Sequence, residues 1–357
     1  MTDNTWPTVD TELIDDVTLY SAKLIIPVTG PVIIDGAVAI HGDRVVHVGK
    51  RRWVLKALKQ EMTAHGTIHE RHWDGVLTPG LINAHTHLQY SGMVQVGQGT
   101  YDRFRAWELA FNEVYAEAQK TQPWKQWAED GARQMVESGT TAAADIVTDL
   151  DAAGALASQG MHGIAYWEVM GWHNAEWMEK GRTELIRQLR RMNEEQLPNL
   201  GISPHAPYTL ESEPFVDLPD IARQLNMRLH IHLAETPLEA GTYPPVLTTY
   251  SAADWSDHDW ESYRQLKEVG KGASAIQFVD QLGSLGPDVH IAHGVWANGE
   301  DRRILRQRGV GVALCPRSNR ITNTGKDAPV REYLEEGNLV SVGTDSLSST
   351  PTLDLLD

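Results

Sequence analysis

The sequence predicts a (β/α)8 TIM-type barrel preceded by a small N-terminal β-sandwich domain. Three observations carry this. First, short apolar runs rich in β-branched residues recur eight times from Val76 onward, separated by amphipathic stretches. Near-continuous apolar strands alternating with helices mean a parallel sheet covered by helices. Second, the eight units spread over about 250 residues, the size of one closed barrel. Third, polar and ionisable residues crowd the C-terminal ends of the runs, where such a barrel carries its chemistry. An open doubly wound sheet has no need of them at nearly every strand.

The elements follow in order. In residues 1–75, the small β-domain, the runs 17–20, 23–27, 32–34, 37–40 and 44–48 read as short strands with turns at Gly30-Pro31 and His41-Gly42-Asp43. Residues 51–75 are charged and mixed and read as a short helix and a connector. Residues 76–357 make the barrel domain. Its strands are expected near 76–87, 140–147, 162–170, 200–206, 228–235, 289–296, 310–316 and 339–345. Helical spacing marks 124–138, 183–195, 219–226, 273–282, 300–308 and 330–336. A polar insertion at 236–262, after the fifth strand, reads as a lid.

Composition narrows the function. Lys and Arg number 31 against 48 Asp and Glu, a net charge of −17. That balance argues against a nucleic-acid or membrane partner, either of which needs clustered cations. The single cysteine, Cys315, excludes an internal disulfide framework and a multi-Cys zinc site, and it fits a cytoplasmic location. Residues 1–16 are polar and acidic, without the basic and apolar regions of a secretory signal. Twelve Trp against four Phe favour aromatic cavity walls.

The strand ends supply the chemistry. The first carries His85-Thr86-His87, the fourth Ser203-Pro204-His205, the fifth His230-Ile231-His232-Leu233-Ala234-Glu235. The sixth carries His293, the seventh Cys315-Pro316-Arg317-Ser318-Asn319, and the eighth Gly343-Thr344-Asp345-Ser346. Side chains at i and i+2 share a strand face, so His85 and His87 both point inward. With a third imidazole from the fifth strand and the Asp345 carboxylate they form a donor set for one divalent metal, Zn²⁺ first and Fe²⁺ as the alternative. Each has a plainer reading. His85 and His87 can be satisfied core histidines, Asp345 a helix N-cap, Glu235 a solvated loop carboxylate and His205 a turn residue. His230 shares a face with His232, one layer deeper; it could itself be the ligand, but the strand's end is the better-exposed site, so His230 is read as barrel packing. His69-Glu70-Arg71-His72 misses the His-Glu-x-x-His metalloprotease spacing by one residue.

The run Val76-Leu77-Thr78-Pro79-Gly80-Leu81-Ile82-Asn83-Ala84-His85-Thr86-His87 resembles the first-strand signature of the amidohydrolase superfamily. Ser203-Pro204-His205-Ala206-Pro207, His232-Leu233-Ala234-Glu235-Thr236, His293-Gly294, Ser318-Asn319 and Gly343-Thr344-Asp345-Ser346 resemble its branch of adenosine-type, S-adenosylhomocysteine/methylthioadenosine and guanine deaminases and triazine hydrolases. His87-Leu88-Gln89-Tyr90-Ser91 is most similar to the aminodeoxyfutalosine deaminases of menaquinone biosynthesis. The resemblance implies His85, His87, His232 and Asp345 as metal ligands, Glu235 as proton shuttle to the substrate ring and His293 as the group that orients the attacking water. Asp345 or Glu235 would relay a proton to the departing ammonia. His205 would contact the substrate's ribose. Gln89, Arg103 and Arg105 in the loop after the first strand, Trp167 at the end of the third, and Ser318 and Asn319 are the remaining substrate-side candidates. An Arg there could pair a carboxylate at the substrate's remote end. Strand four has no Lys of the kind that bridges two metals in binuclear relatives, so one metal is expected. The resemblance also implies a homodimer, and a small β-domain whose C-terminal return lies outside these residues.

The expected activity is hydrolytic deamination of an aminopurine nucleoside, with 6-amino-6-deoxyfutalosine the first choice. Other deaminase substrates, a triazine-type chlorohydrolase and a metal-free binding scaffold are the alternatives. Glu235 favours deamination over the triazine reading, and a scaffold would be expected to have lost one of the four ligands.

Overall fold

The computed structural model describes residues 13–194, 197, 199–241, 266 and 268–357. Most of the insertion expected as a lid, from 242 onward, lies outside the described residues. The chain separates into two compact units, Met1–Gly80 and Leu81–Asp357.

The first unit is a four-stranded sheet in the order β3-β2-β1-β4, formed by β1 (Ile14–Ile25), β2 (Ile33–His41), β3 (Arg44–Lys50) and β4 (Met62–Leu77). The separate N-terminal sheet is thus present. Val17 and Leu19 on β1 and Ala37 and Ala39 on β2 bury the same face, as period-2 alternation requires. The helix Arg51–Glu61 covers that face with Val54 and Leu58. Several expectations change, and the runs 32–34 and 37–40 join in β2. The short runs 17–20 and 23–27 are one strand, and the expected connector before Val76 is β4, which pairs in parallel with β1. Val76 and Leu77, expected to open the barrel, close this sheet instead. The His69–His72 run is part of β4, where Glu70 accepts a two-point contact from Arg51 at 2.6 Å and a hydrogen bond from Ser21 at 2.6 Å.

The second unit holds all eight expected parallel strands: β5 (Leu81–Thr86), β6 (Thr140–Val147), β7 (His162–Val169), β8 (Leu200–Pro204), β9 (Arg228–Leu233), β10 (Val289–His293), β11 (Gly311–Leu314) and β12 (Leu339–Val342). They neighbour one another in chain order, the arrangement of a (β/α)8 barrel. Helices cover the strands. Trp124–Glu137 buries Ala128, Ala132 and Met135, spaced four and three apart. Gly299–Arg308 starts on a reciprocal Asn298/Asp301 capping box and stops at Gly309, whose φ is +71°. A helix absent from the sequence reading, Phe104–Thr121, follows β5.

The seam between β5 and β12 is fastened largely by side chains. Asn83 Nδ2 donates to Thr344 Oγ1 at 2.7 Å, and the Thr344 amide donates back to Asn83 Oδ1 at 3.0 Å. The Asp345 amide donates to the His85 carbonyl at 2.9 Å. A Cβ on Gly343 would lie 2.8 Å from His85 Cβ and 2.9 Å from its backbone, so only glycine lets the strands approach this closely. The two sides of one polar cluster meet across that seam.

Candidate active site

His85 and His87 leave β5 on the same side, His232 leaves β9, and Asp345 follows β12. His87 Nε2 stands 3.2 Å from His232 Nε2, and Asp345 Oδ1 stands 3.6 Å from both His85 Nε2 and His87 Nε2. Two donors each about 2.0–2.2 Å from one ion at a tetrahedral angle lie roughly 3.4 Å apart. The observed separations match that spacing. His85 Nε2 is buried with no hydrogen-bond partner among the described residues. Burial, then neighbouring imidazoles, holds His85 and His232 well below the ordinary histidine range. Burial brings His87 down to about 4. All three are therefore neutral, the form that binds a metal. Burial alone would raise Asp345, but facing imidazoles and the Ser318 hydroxyl, 2.6 Å from Oδ2, hold it ionised. Three imidazoles and one carboxylate fit a divalent metal such as Zn²⁺ or Fe²⁺. His85, His232 and His293 form a second grouping of the same kind, as do Glu168, His205 and His232.

His230, read from the sequence as barrel packing, lies behind this cluster. Its Nε2 is 3.0 Å from His85 Nδ1, and it stacks on that ring. A hydrogen bond at the second nitrogen fixes which nitrogen of a ligating imidazole faces the metal.

Glu235 reaches the cleft through backbone geometry. Three residues past His232, a regular strand would point it to the opposite face. Ala234 instead adopts φ +55° and turns the chain. The buried Glu239 carboxylate then accepts the amides of Ala234, Glu235 and Thr236 at 2.9, 2.9 and 3.0 Å, holding the turn. Glu235 Oε1 comes to 3.5 Å from His293 Nε2, and Tyr208 donates to Oε2 at 3.3 Å. Burial, with Asp345 nearby, raises Glu235 to about 8. His293 has φ +74° and Asp345 φ +63°. Such positions are strained for residues with side chains and cluster at functional sites.

The other substrate-side candidates divide. His205 lines the cleft, its Nδ1 held by Thr209 Oγ1 at 2.7 Å. Ser318 holds Asp345, and Asn319 Oδ1 is 3.0 Å from His293 Nδ1, so both contact site residues. Gln89 is buried and exchanges hydrogen bonds with Thr148. Arg103 and Arg105 lie outside the cleft lining, beside Asp102 and Glu108. Phe104, Trp107, Glu108 and Phe111 line it instead, because spacings of three and four place them on one face of their helix. Trp167 lines a neighbouring cavity with Glu168. Glu168, next to Trp167 at the end of β7, is a second buried cleft carboxyl, raised to about 8 by burial and by Asp345.

A family model described as "Amidohydrolase family" matches residues 76–243 and 246–357. The chain is 30% identical over 344 residues to a 5-methylthioadenosine/S-adenosylhomocysteine deaminase of Moorella thermoacetica, covering 93% of this chain and 70% of that one. It is 30% identical to a 5'-deoxyadenosine deaminase of Methanopyrus kandleri, covering 79% of this chain and 60% of that one. The chain thus spans between three-fifths and seven-tenths of the length of these relatives. Among solved structures, a zinc-bound adenosine deaminase of Xanthomonas campestris shares the fold at TM-score 0.72 and 22% identity, over 96% of this chain and 72% of that one. Aminofutalosine deaminase of Helicobacter pylori does so at TM-score 0.73 and 20% identity, over 95% and 79%. With a family match over nearly all of the second unit, the chain belongs to the amidohydrolase family.

Proposed function

We propose that this amidohydrolase-family enzyme is a metal-dependent hydrolytic deaminase of an aminopurine nucleoside, with 6-amino-6-deoxyfutalosine as its preferred substrate. The carrying observation is Glu235, a buried carboxyl beside a ready-made ligand cluster yet outside it, its Oε1 3.5 Å from His293 Nε2. The names of the similar deaminases support the reaction class. His85, His87, His232 and Asp345 would hold one divalent metal, Zn²⁺ or Fe²⁺. Bound there, the metal would act as a Lewis acid and lower the pKa of a water toward neutrality.

Deamination replaces a ring C–NH2 by C=O and releases ammonia. The ring carbon accepts a nucleophile only if its neighbouring ring nitrogen takes a proton, and Glu235 supplies it as a general acid. The ionised Glu235 then accepts a proton from the incoming water. Glu235 passes it to the departing amine as the C–N bond breaks, and the remaining hydroxyl proton, taken up directly or through Asp345, returns Glu235 to its carboxyl form and leaves C=O and ammonia. His293, its Nδ1 beside Asn319 Oδ1, presents Nε2 toward Glu235 and fixes the direction from which water approaches.

The test is ammonia release from aminodeoxyfutalosine, S-adenosylhomocysteine, methylthioadenosine, adenosine and guanine, with metal content measured on the same sample. One equivalent of metal per chain and turnover of at least one nucleoside, lost on chelation and restored by Zn²⁺ or Fe²⁺, is expected. Full activity after exhaustive chelation overturns the metal assignment, and no turnover of any of the five overturns the deaminase reading.

A further inference from the structure

The barrel has a polar cavity at the end away from the cleft. About 340 Å³ in volume, it lies among the N-terminal ends of β9, β10, β11 and β12, with Arg228 of β9, His290 of β10 and Tyr166 of β7 in its wall. The cleft draws on the opposite strand ends, so the mechanism uses none of these three. Tyr166 is only 3% exposed, and His290 is half-buried. Among the described residues the Tyr166 hydroxyl, the His290 imidazole and the Arg228 guanidinium make no hydrogen bond, and Arg228 makes no ion pair. The carboxylate in the same wall, Asp288, is engaged by Arg223, whose Nε is 2.9 Å from Oδ2. The charge of Arg228 reaches both of its neighbours. Burial, then Arg228, holds His290 below the ordinary histidine range, and burial pushes Tyr166 up to about 12 against the opposing pull of Arg228. Both rings sit where a neighbouring strand makes room. A Cβ on Gly201 would collide with the Tyr166 ring, and one on Gly311 with the His290 ring. A buried donor without a partner is costly and calls for an acceptor.

We propose that this cavity is a binding site for a phosphate group, free or as a monoester, with the Arg228 guanidinium as a two-point donor and the Tyr166 hydroxyl and the His290 N–H as further donors. A guanidinium fork matches two phosphate oxygens at once, and walls that exclude water strengthen the attraction. Donors carried on three separate strands suit a tetrahedral ion, whose oxygens point in different directions. A planar carboxylate offers only two. The site stands apart from the cleft and does not depend on the deaminase reading.

Isothermal titration calorimetry of the metal-loaded protein, in a phosphate-free buffer at fixed ionic strength, uses inorganic phosphate and glycerol 3-phosphate as probes. Wild type, Arg228→Met, Arg228→Lys and Tyr166→Phe are compared, each checked for fold by circular dichroism. The wild type is expected to bind at least one probe with a Kd of about 1 mM or tighter. Arg228→Met is expected to weaken that binding roughly tenfold or more, Arg228→Lys by less, and Tyr166→Phe by roughly threefold to tenfold. Tighter binding of glycerol 3-phosphate identifies a phosphomonoester, and equal or tighter binding of inorganic phosphate identifies the free ion; either supports the site. No binding of either probe at about 10 mM overturns it. Binding unchanged in both Arg228→Met and Tyr166→Phe puts the ion on the cleft's metal or elsewhere on the surface and also overturns it. Loss in Arg228→Met with Tyr166→Phe at wild-type affinity reduces Arg228 to a surface cation and overturns the cavity site. Should Arg228→Met fail to fold, unchanged affinity in both Arg228→Lys and Tyr166→Phe is the overturning result.

Discussion

Removing Asn83 tests how the barrel is closed. Its side chain exchanges two hydrogen bonds with Thr344 across the β5–β12 seam, at 2.7 and 3.0 Å, and both residues are fully buried. Each bond contributes about 0.5–1.5 kcal/mol net, and Asn83→Ala also strands the Thr344 amide without an acceptor, costing a further ~1–3 kcal/mol. The sum is about 2–6 kcal/mol, and at about 2–4 °C per kcal/mol for a domain of this size the melting temperature falls by roughly 4–24 °C. Thr344→Val removes one hydroxyl and leaves the amide bond in place, so it is expected to lose about half as much. Because His85 and His87 stand on one side of this seam and Asp345 on the other, Asn83→Ala is also expected to weaken metal retention. Calorimetry and competition with a chromophoric chelator measure both effects. A melting shift under about 1 °C would show that the seam is held by its backbone contact alone and refute the reasoning.

Glu235→Gln is expected to lower kcat/KM by about 10²–10⁴ with metal content unchanged, because Glu235 lies outside the ligand cluster; retained activity would remove it from the mechanism. Asp145, buried and accepting the Leu88 amide at 2.9 Å, is pushed by burial up to about 8. Folded it stays protonated where the unfolded chain has already ionised, so stability falls as pH rises from about 4 to about 8, by up to ~1.4 kcal/mol per pH unit. Asp145→Asn keeps the acceptor and is expected to flatten that slope; urea midpoints at about pH 6 and pH 8 measure it, and parallel slopes in the two proteins would count against it.

The eight barrel strands were legible because each is a short, mostly apolar run rich in β-branched residues, a pattern that even β12, with no fully buried residue, keeps in Leu339-Val340-Ser341-Val342. β4 was not. Met62–Leu77 has no fully buried residue, so its sequence carries no alternation, and pairing with β1 gives it its form. At the site, spacing alone could bring His85 and His87 together, and the strand ends brought His232, His293 and Asp345 near them. It could not give the turn at Ala234 or the contact of His230 with His85, which depend on backbone dihedrals and on strands far apart in sequence. Phe104, Trp107, Phe111 and Tyr115 did carry a readable helical spacing. Read that way, it would have turned attention from Arg103 and Arg105 to the face that lines the cleft.

Asn83 and Thr344 are 261 positions apart, and the cluster draws on both ends of that span. During vectorial synthesis the earlier strands can pair as they emerge, since each neighbours the next, but contacts of such long range form late. A ribosome-bound chain arrested before Asp345 would carry the histidines without their carboxylate. Any ion it captured would sit in an incomplete set of donors, so faithful loading belongs to the finished chain.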